Sequence, residues 1–223
     1  MTTVTAPTLG ECWQKCVRYV LEHGRFHNDE DVAICEVLGL TVEIAHPAPI
    51  DSFIEKVGDS KVIDKMLRKF SKGIVMEDRP FTYGQLIYDM NGVDQFEWML
   101  KRLQRKPETK SATISLVTPG MNALNLPCLS VLDAKIRNRE LHLQFFFRSQ
   151  NIFGRQYANF MALANLHKNL ASRLDCGMGT MKGYIASAHI YEYDLIDAKA
   201  LAENRVIQIS DKYYAKGPAS IRI

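Results

Sequence analysis

The chain has 223 residues, 47% of them hydrophobic and 24% charged, and its formal net charge is only +3. That length suits one domain with a full core and leaves little room for two. The near-balanced charge and scattered basic residues do not indicate a dedicated nucleic-acid surface, though a local anion site stays open. No apolar run approaches the roughly 18 residues of a membrane span. Residues Met1 to Gly10 lack the basic start and apolar centre of a signal peptide, so cytoplasm is the expected compartment. Five cysteines without a repeating spacing argue against a disulfide framework. Cys12 and Cys16 are one helical turn apart, but no second Cys or His pair has metal-finger spacing, and no metal is expected.

In chain order, Thr8 to Glu22 reads as a helix capped by Thr8, with Glu11 three residues on and Gly24 as the stop. Asn28 to Asp31 reads as an acidic loop, and Val32 to Ile44 as a strand ended by Pro47 and Pro49. Helical spacing runs from Ile50 to Phe70, with Gly58 a possible break. Lys72 to Pro80 is a charged connection, and Phe81 to Gly84 reads as a tight turn or strand end. Val93 to Leu103 is an amphipathic helix and Ser111 to Val117 a strand. Leu129 to Ile136 and Leu141 to Arg148, joined at Arg137-Asn138-Arg139, read as an antiparallel pair. Phe160 to Leu174 is the longest clear helix, with Asn159 at its head. Lys182 to Tyr193 is a strand that places His189, Tyr191 and Tyr193 on one face, and Leu195 to Ala202 is helical. Residues 1–223 thus form a single α+β domain.

The chemistry concentrates between Asn125 and Tyr193. Cys128 follows Pro127 at a strand entrance; a thiol in such a place is usually structural, and reactivity requires a nearby cation, for which Arg148 is the candidate. Arg148-Ser149 pairs a guanidinium fork with a hydroxyl, a natural grip for phosphate. Asn159 carries both a donor and an acceptor and can read a planar amide. His189 and Tyr191 point the same way and can share a ligand hydroxyl. Each residue alone has a plain structural reading, as a surface arginine, a helix-start amide or a polar sheet face. Their combination is the signal.

Pro127-Cys128, Arg148-Ser149, Phe153, Asn159 and His189-Ile190-Tyr191 together resemble the thymidylate synthase signature in order and separation. Tyr83-Gly84 and Asp94-Gln95 also resemble family landmarks, so the likeness covers about Tyr83 to Asp194. Glu11-Cys12-Trp13 and the stretch from Glu36-Val37-Leu38 to Pro47 resemble the shorter archaeal-type members. The resemblance implies a mixed β-sheet packed with long helices. It also implies an enzyme that transfers a one-carbon unit from 5,10-methylenetetrahydrofolate to C5 of a pyrimidine nucleoside monophosphate. In it Cys128 would add to C6, and Arg148 would bind phosphate and favour the thiolate. Ser149 would assist, Asn159 would read the pyrimidine, and His189 and Tyr191 would hold a sugar hydroxyl. Tyr83 would take part in proton traffic at C5. Lys110 matches a position that, in an obligate homodimer, reaches the partner's phosphate site, and Ser220 to Ile223 would form a closing flap. No nucleic-acid polymer and no membrane are implied as partners.

The departures are specific. Asn151 stands where a folate-binding Asp is expected, and Arg155 where a Gly is expected. Leu129 stands where bacterial members have His after the nucleophile. Asp64 and Glu36 are the candidates for the family's catalytic Glu. Three activities follow: conversion of dUMP to dTMP, which leads; 5-hydroxymethylation of dUMP, UMP, dCMP or CMP; and a silent nucleotide-binding homologue, against which Cys128 argues.

Overall fold

The computed structural model describes residues 2–29, 31–77, 80–121, 126–205 and 209. Among them, eight strands join in one mixed sheet and seven α-helices pack with it, an α+β fold. The strands are β1 (Thr2–Ala6), β2 (Arg25–Asp29), β3 (Val32–Ile44), β4 (Thr113–Ser115), β5 (Leu129–Arg137), β6 (Glu140–Phe147), β7 (Gln150–Asn151) and β8 (Gly177–Tyr191). The order across the sheet is β1-β3-β8-β6-β5-β4, with β2 on β3 and β7 on β8.

Three strands went unanticipated, the two-residue β7 among them. β1 runs parallel to Leu40–Ile44, and β2 runs antiparallel to Val32–Glu36. Of the acidic segment expected as a loop, Asn28 and Asp29 therefore belong to one arm of a hairpin, while Asp31 lies in the turn before β3. All five β2 residues are exposed, so no apolar alternation marks the strand. The β5–β6 hairpin forms as its pattern predicts, antiparallel with Leu132 opposite Phe145. Its two turn residues, Asn138 and Arg139, both take positive φ, the conformation a two-residue hairpin needs.

Helix α1 (Leu9–His23) starts as predicted: the Thr8 Oγ1 accepts the Glu11 N–H at 3.2 Å, and Gly24 ends it. The predicted break at Gly58 divides α2 (Ser52–Val57) from α3 (Ser60–Phe70), each capped by an aspartate, Asp51 and Asp59. The turn expected at Phe81 to Gly84 is instead the start of α4 (Tyr83–Tyr88). Thr82 and Gln85 form a reciprocal capping box there. Gly84 is required for packing, because a Cβ would lie 2.0 Å from the Ser71 carbonyl oxygen. Helices α5 (Gln95–Arg105), α6 (Gln156–Arg173) and α7 (Leu195–Ala202) complete the set. The α6 helix begins four residues earlier than its leucine spacing suggests, which places Asn159 within its first turn.

On β6, Leu141, Leu143, Phe145 and Phe147 are buried towards the helices, while Gln144 and Phe146 face out. The fully buried Trp13, Tyr157, Phe153 and Phe160 fill the layer between α1, α6 and the sheet. The Trp13 indole N–H is shared between the carbonyls of Ile152 and Phe153, at 3.0 and 3.2 Å, and so ties α1 to the turn that precedes α6.

A break in strand phase sets up the site. Leu40, Val42 and Ile44 are fully buried, yet Leu38, two residues earlier, is 73% exposed. Gly39 lies between them at φ +78, and its pairing with Ala186 is skipped. On β8 the buried positions likewise shift, from Met181 and Ile185 to Ala188 and Ile190. The side chains beyond the break thereby exchange faces. Cys35 now points to α1, its thiol donating to the Val20 carbonyl, while Glu36, Ser187 and His189 share the opposite face.

Candidate active site

Cys128 is partly buried and immediately precedes β5. Its carbonyl accepts the Arg148 N–H at 2.8 Å, which fixes the two residues side by side at the strand ends. The Arg148 guanidinium folds back over this entrance: Nε donates to the Pro127 carbonyl at 3.1 Å and Nη2 to that of Leu126 at 2.6 Å. A planar fork held on two backbone oxygens is pre-oriented for an anion. Ser149 follows it, partly exposed.

Tyr83 reaches the same place from α4. Its ring is buried against Phe70 and beneath the Lys69 ammonium, which lies 4.6 Å from the ring centroid. Its hydroxyl accepts the Leu129 N–H at 3.2 Å. Burial pushes the phenol well up from its ordinary value, and the neighbouring Cys128 adds to this; the Leu129 and Cys128 backbone and Arg148 oppose it. Tyr83 therefore keeps its proton at neutral pH and sits against the backbone of the thiol-bearing residue.

On β8, His189 is buried and packs edge to face with Tyr191 at 5.2 Å. Burial lowers the His189 pKa, against the pull of Asp29, Glu36 and the Ser187 backbone. The Tyr191 phenol is pushed up to about 12 by burial, then by Asp29, Cys128 and Asp194, with Arg155 opposing. Tyr193 lies just past β8 in a 3-10 turn (Glu192–Asp194) and stacks on Tyr191 at 5.1 Å. Asn159 is buried, and its Oδ1 has no hydrogen-bond partner among the described residues.

Cys128, Arg148 and Tyr83 therefore converge, and His189 and Tyr191 sit together on β8, whose Ala188 pairs with Gln150, two residues on from Arg148. Lys110 does not join them within one chain. The Ala112 carbonyl, two residues on, accepts the N–H of Ala134, six residues along the chain from Cys128. At about 3.3 Å per residue that is roughly 20 Å, and Lys110 lies farther still. Asn151, expected on the folate side, closes a turn: its Oδ1 accepts the Gly154 N–H at 2.8 Å. Asp64 is exposed on α3, and Glu36 belongs to the His189 face. The segment Ser220 to Ile223 lies outside the described residues.

Sequence reasoning passed over three neighbours of the site: Lys69 over Tyr83, and Asp29 and Arg155 near Tyr191. The four-residue spacing of Lys61, Lys65 and Lys69 marks one side of α3 and is a signal that pattern reading can use. Arg155 had been visible only as a departure from a glycine.

Residues 50–211 match the family model described as thymidylate synthase. Among relatives, a protein of Methanosarcina mazei is 28% identical over 195 residues, covering 86% of this chain and 90% of its own length. One from Methanothermobacter marburgensis is 27% identical over 218 residues, covering 90% and 98%. One from Methanocaldococcus jannaschii is 19% identical over 207 residues, covering 86% and 91%. All three carry the name "Putative thymidylate synthase". A model match across well over half the chain, laid over the Cys128–Arg148–Tyr83 cluster, establishes the family: the chain belongs to the thymidylate synthases.

Proposed function

We propose that the protein transfers a one-carbon unit to C5 of a pyrimidine nucleotide through a covalent Cys128 adduct, with dUMP as substrate and dTMP as product. The observation that carries this reading is the convergence on Cys128. Arg148 clasps the two carbonyls before it, and the Tyr83 hydroxyl holds the N–H after it.

In this reading the phosphate lies on the Arg148 fork and Ser149, and Asn159 pairs with the pyrimidine edge through a side chain that offers both donor and acceptor. The Cys128 sulfur bonds to C6, and the C5–C6 electron pair moves onto C5 and its carbonyl, which makes C5 a nucleophile. Methylenetetrahydrofolate supplies the one-carbon unit and, for a methyl product, the hydride. Once C5 has taken that unit, its proton passes to water in the vicinity of Tyr83, and the C5–H electron pair expels the folate amine to leave an exocyclic methylene. Hydride from the folate, giving methyl, or water, giving hydroxymethyl, adds to that carbon. The sulfur–C6 bond breaks at the end, regenerating the thiolate. The polar head of α6 fits a heterocyclic ligand: Gln156 and Asn159, three residues apart on one helix face, both carry unpartnered side-chain atoms among the described residues.

The second reading, a hydroxymethyl product formed by water, is favoured by Asn151. Its Oδ1 is committed to the Gly154 N–H in a local turn, which weakens its use against a folate.

A homodimer fits this reading. Leu38 and Phe146, the latter stacked on Tyr184 at 5.6 Å, are exposed on strands of the sheet. Covering that face with a second copy would let Lys110 serve the partner's phosphate site; sedimentation at varied concentration tests the state. Incubation with 5-tritiated dUMP, UMP, dCMP and CMP, with and without methylenetetrahydrofolate, tests the chemistry. Folate-dependent tritium release with a methylated dUMP product is expected. Release with a hydroxymethylated product selects the second reading, and no release from any nucleotide overturns both.

A further inference from the structure

Glu36, Ser187 and His189 form a chain of contacts across the β3–β8 pair. Glu36 lies opposite His189 in the register and Leu38 opposite Ser187. The phase break at Gly39 puts the three side chains on one face. The Ser187 hydroxyl donates to Glu36 Oε1. Glu36 Oε2 lies 3.2 Å from Nε2 of His27, a β2 residue, so both carboxylate oxygens have partners. Ser187 Oγ is also 3.4 Å from His189 Nδ1, a long hydrogen bond.

The direction of the protons follows from these contacts. A carboxylate oxygen only accepts, so the Ser187 proton is committed to Glu36. Ser187 Oγ then has only lone pairs to offer His189, and Nδ1 must carry the proton between them. The Ser187 backbone also favours a proton on this ring, and burial disfavours a second one. A neutral ring protonated at Nδ1 leaves Nε2 as an acceptor. The groups around it, Asp29, Glu36, His27 and Tyr191, include two carboxylates, which repel a phosphate and suit a hydroxyl donor.

We infer that Glu36 is a positioning residue for the sugar end of the nucleotide site: through Ser187 it holds His189 with Nδ1 protonated, so that Nε2 accepts a hydrogen bond from a sugar hydroxyl. This rests on the nucleotide reading above and deepens it. The Arg148 end takes the phosphate and the Glu36 end takes the hydroxyl, so opposite charge at the two ends fixes which way round the ligand lies.

The test has two arms. In the ligand-free full chain, 15N spectra of the His189 ring should show Nδ1 protonated; an Nε2-protonated ring overturns the inference. Calorimetric binding then compares dUMP with 2′,3′-dideoxy-UMP, which lacks every ribose hydroxyl. Glu36→Gln and Ser187→Ala should each weaken dUMP about five- to tenfold, the scale of one hydrogen bond. The dideoxy nucleotide should be weakened less than about twofold by either change, and turnover at saturating dUMP should change less than KM. Equal losses for both nucleotides indicate a merely structural role and overturn the inference, as does no loss for either. A wild type that binds both nucleotides equally overturns this inference alone. A wild type that binds neither overturns the nucleotide reading as well.

Discussion

The hydroxyl of Tyr83 accepts the backbone N–H of Leu129 at 3.2 Å, so the first residue of α4 is fastened to the residue that follows Cys128. Gly84 allows that approach by letting α4 pass close to the Ser71 carbonyl, and the capping box at Thr82 sets where the helix begins. Local helix-start chemistry thus delivers a buried phenol to a strand forty-six residues away.

Tyr83→Phe keeps the ring packed on Phe70 but leaves the Leu129 N–H without its acceptor. A buried donor stripped of its partner costs about 1–3 kcal/mol. Loss of a proton-carrying group beside the reacting carbon should lower turnover about 100-fold or more. Urea melts and tritium-release assays on the same preparation separate the two effects. Full activity in a destabilised variant would reduce Tyr83 to a structural strut.

Arg148→Ala should raise the nucleotide Kd about 10- to 100-fold, since charge-assisted hydrogen bonds are worth roughly 1.5–3 kcal/mol. Arg148→Lys is the sharper variant. It keeps the charge but loses the fork that spans the Pro127 and Leu126 carbonyls, so the peptide carrying Cys128 loses its clasp. Nucleotide binding is expected to recover in part and turnover much less. Recovery of both by lysine would mean that the clasp is immaterial.

How far the sequence anticipated the molecule depends on the kind of signal. The β5–β6 hairpin, α1 and the break at Gly58 were legible because apolar period, cap and turn residues agreed. β2 was not, because the sequence Arg25–Asp29 is exposed along its length and owes its strand form to pairing with β3. α4 was misread because Phe81-Thr82-Tyr83-Gly84 has turn composition and only six helical residues follow Thr82. The site residues were legible as a set through the family resemblance, but their partners were not. That Glu36 meets Ser187 depends on a strand register and on the phase break at Gly39, which strand periodicity alone does not reveal. The distance of Lys110 from Cys128 became evident only from the pairing of Ala112 with Ala134.

Cys128→Ala should abolish turnover with every nucleotide while leaving the melting temperature almost unchanged. The side chain is only partly buried, and its truncation empties little of the core. The variant should still bind dUMP, because the phosphate and base contacts come from other residues. Retained tritium release would remove the covalent mechanism.

Stability should fall off on both sides of neutral pH, for two opposite reasons. His167 and His189 are buried, and burial lowers the pKa of each. An unfolded histidine takes up its proton at about 6.5, before the folded one does. Folding stability is therefore present above that pH and is lost as the pH drops below it. Tyr83 and Tyr191 shift the other way, both raised chiefly by burial. An unfolded tyrosine loses its proton at about 10. The folded ones hold theirs longer, so stability is lost as the pH climbs past that value. Thiols act in the same direction: that of Cys12 is raised first by its contact with Cys16, and those of Cys35 and Cys176 first by burial. They hold their protons longer in the fold than an unfolded cysteine does at about 8.5. Chemical melts across the pH range should therefore show a plateau between roughly pH 7 and 8.5 with a decline on each side. Tyr83→Phe should flatten the alkaline decline, and His167→Gln the acid one, since each removes one group that titrates differently in the two states. An alkaline limb unchanged by Tyr83→Phe would show that its phenol is not held protonated by the fold.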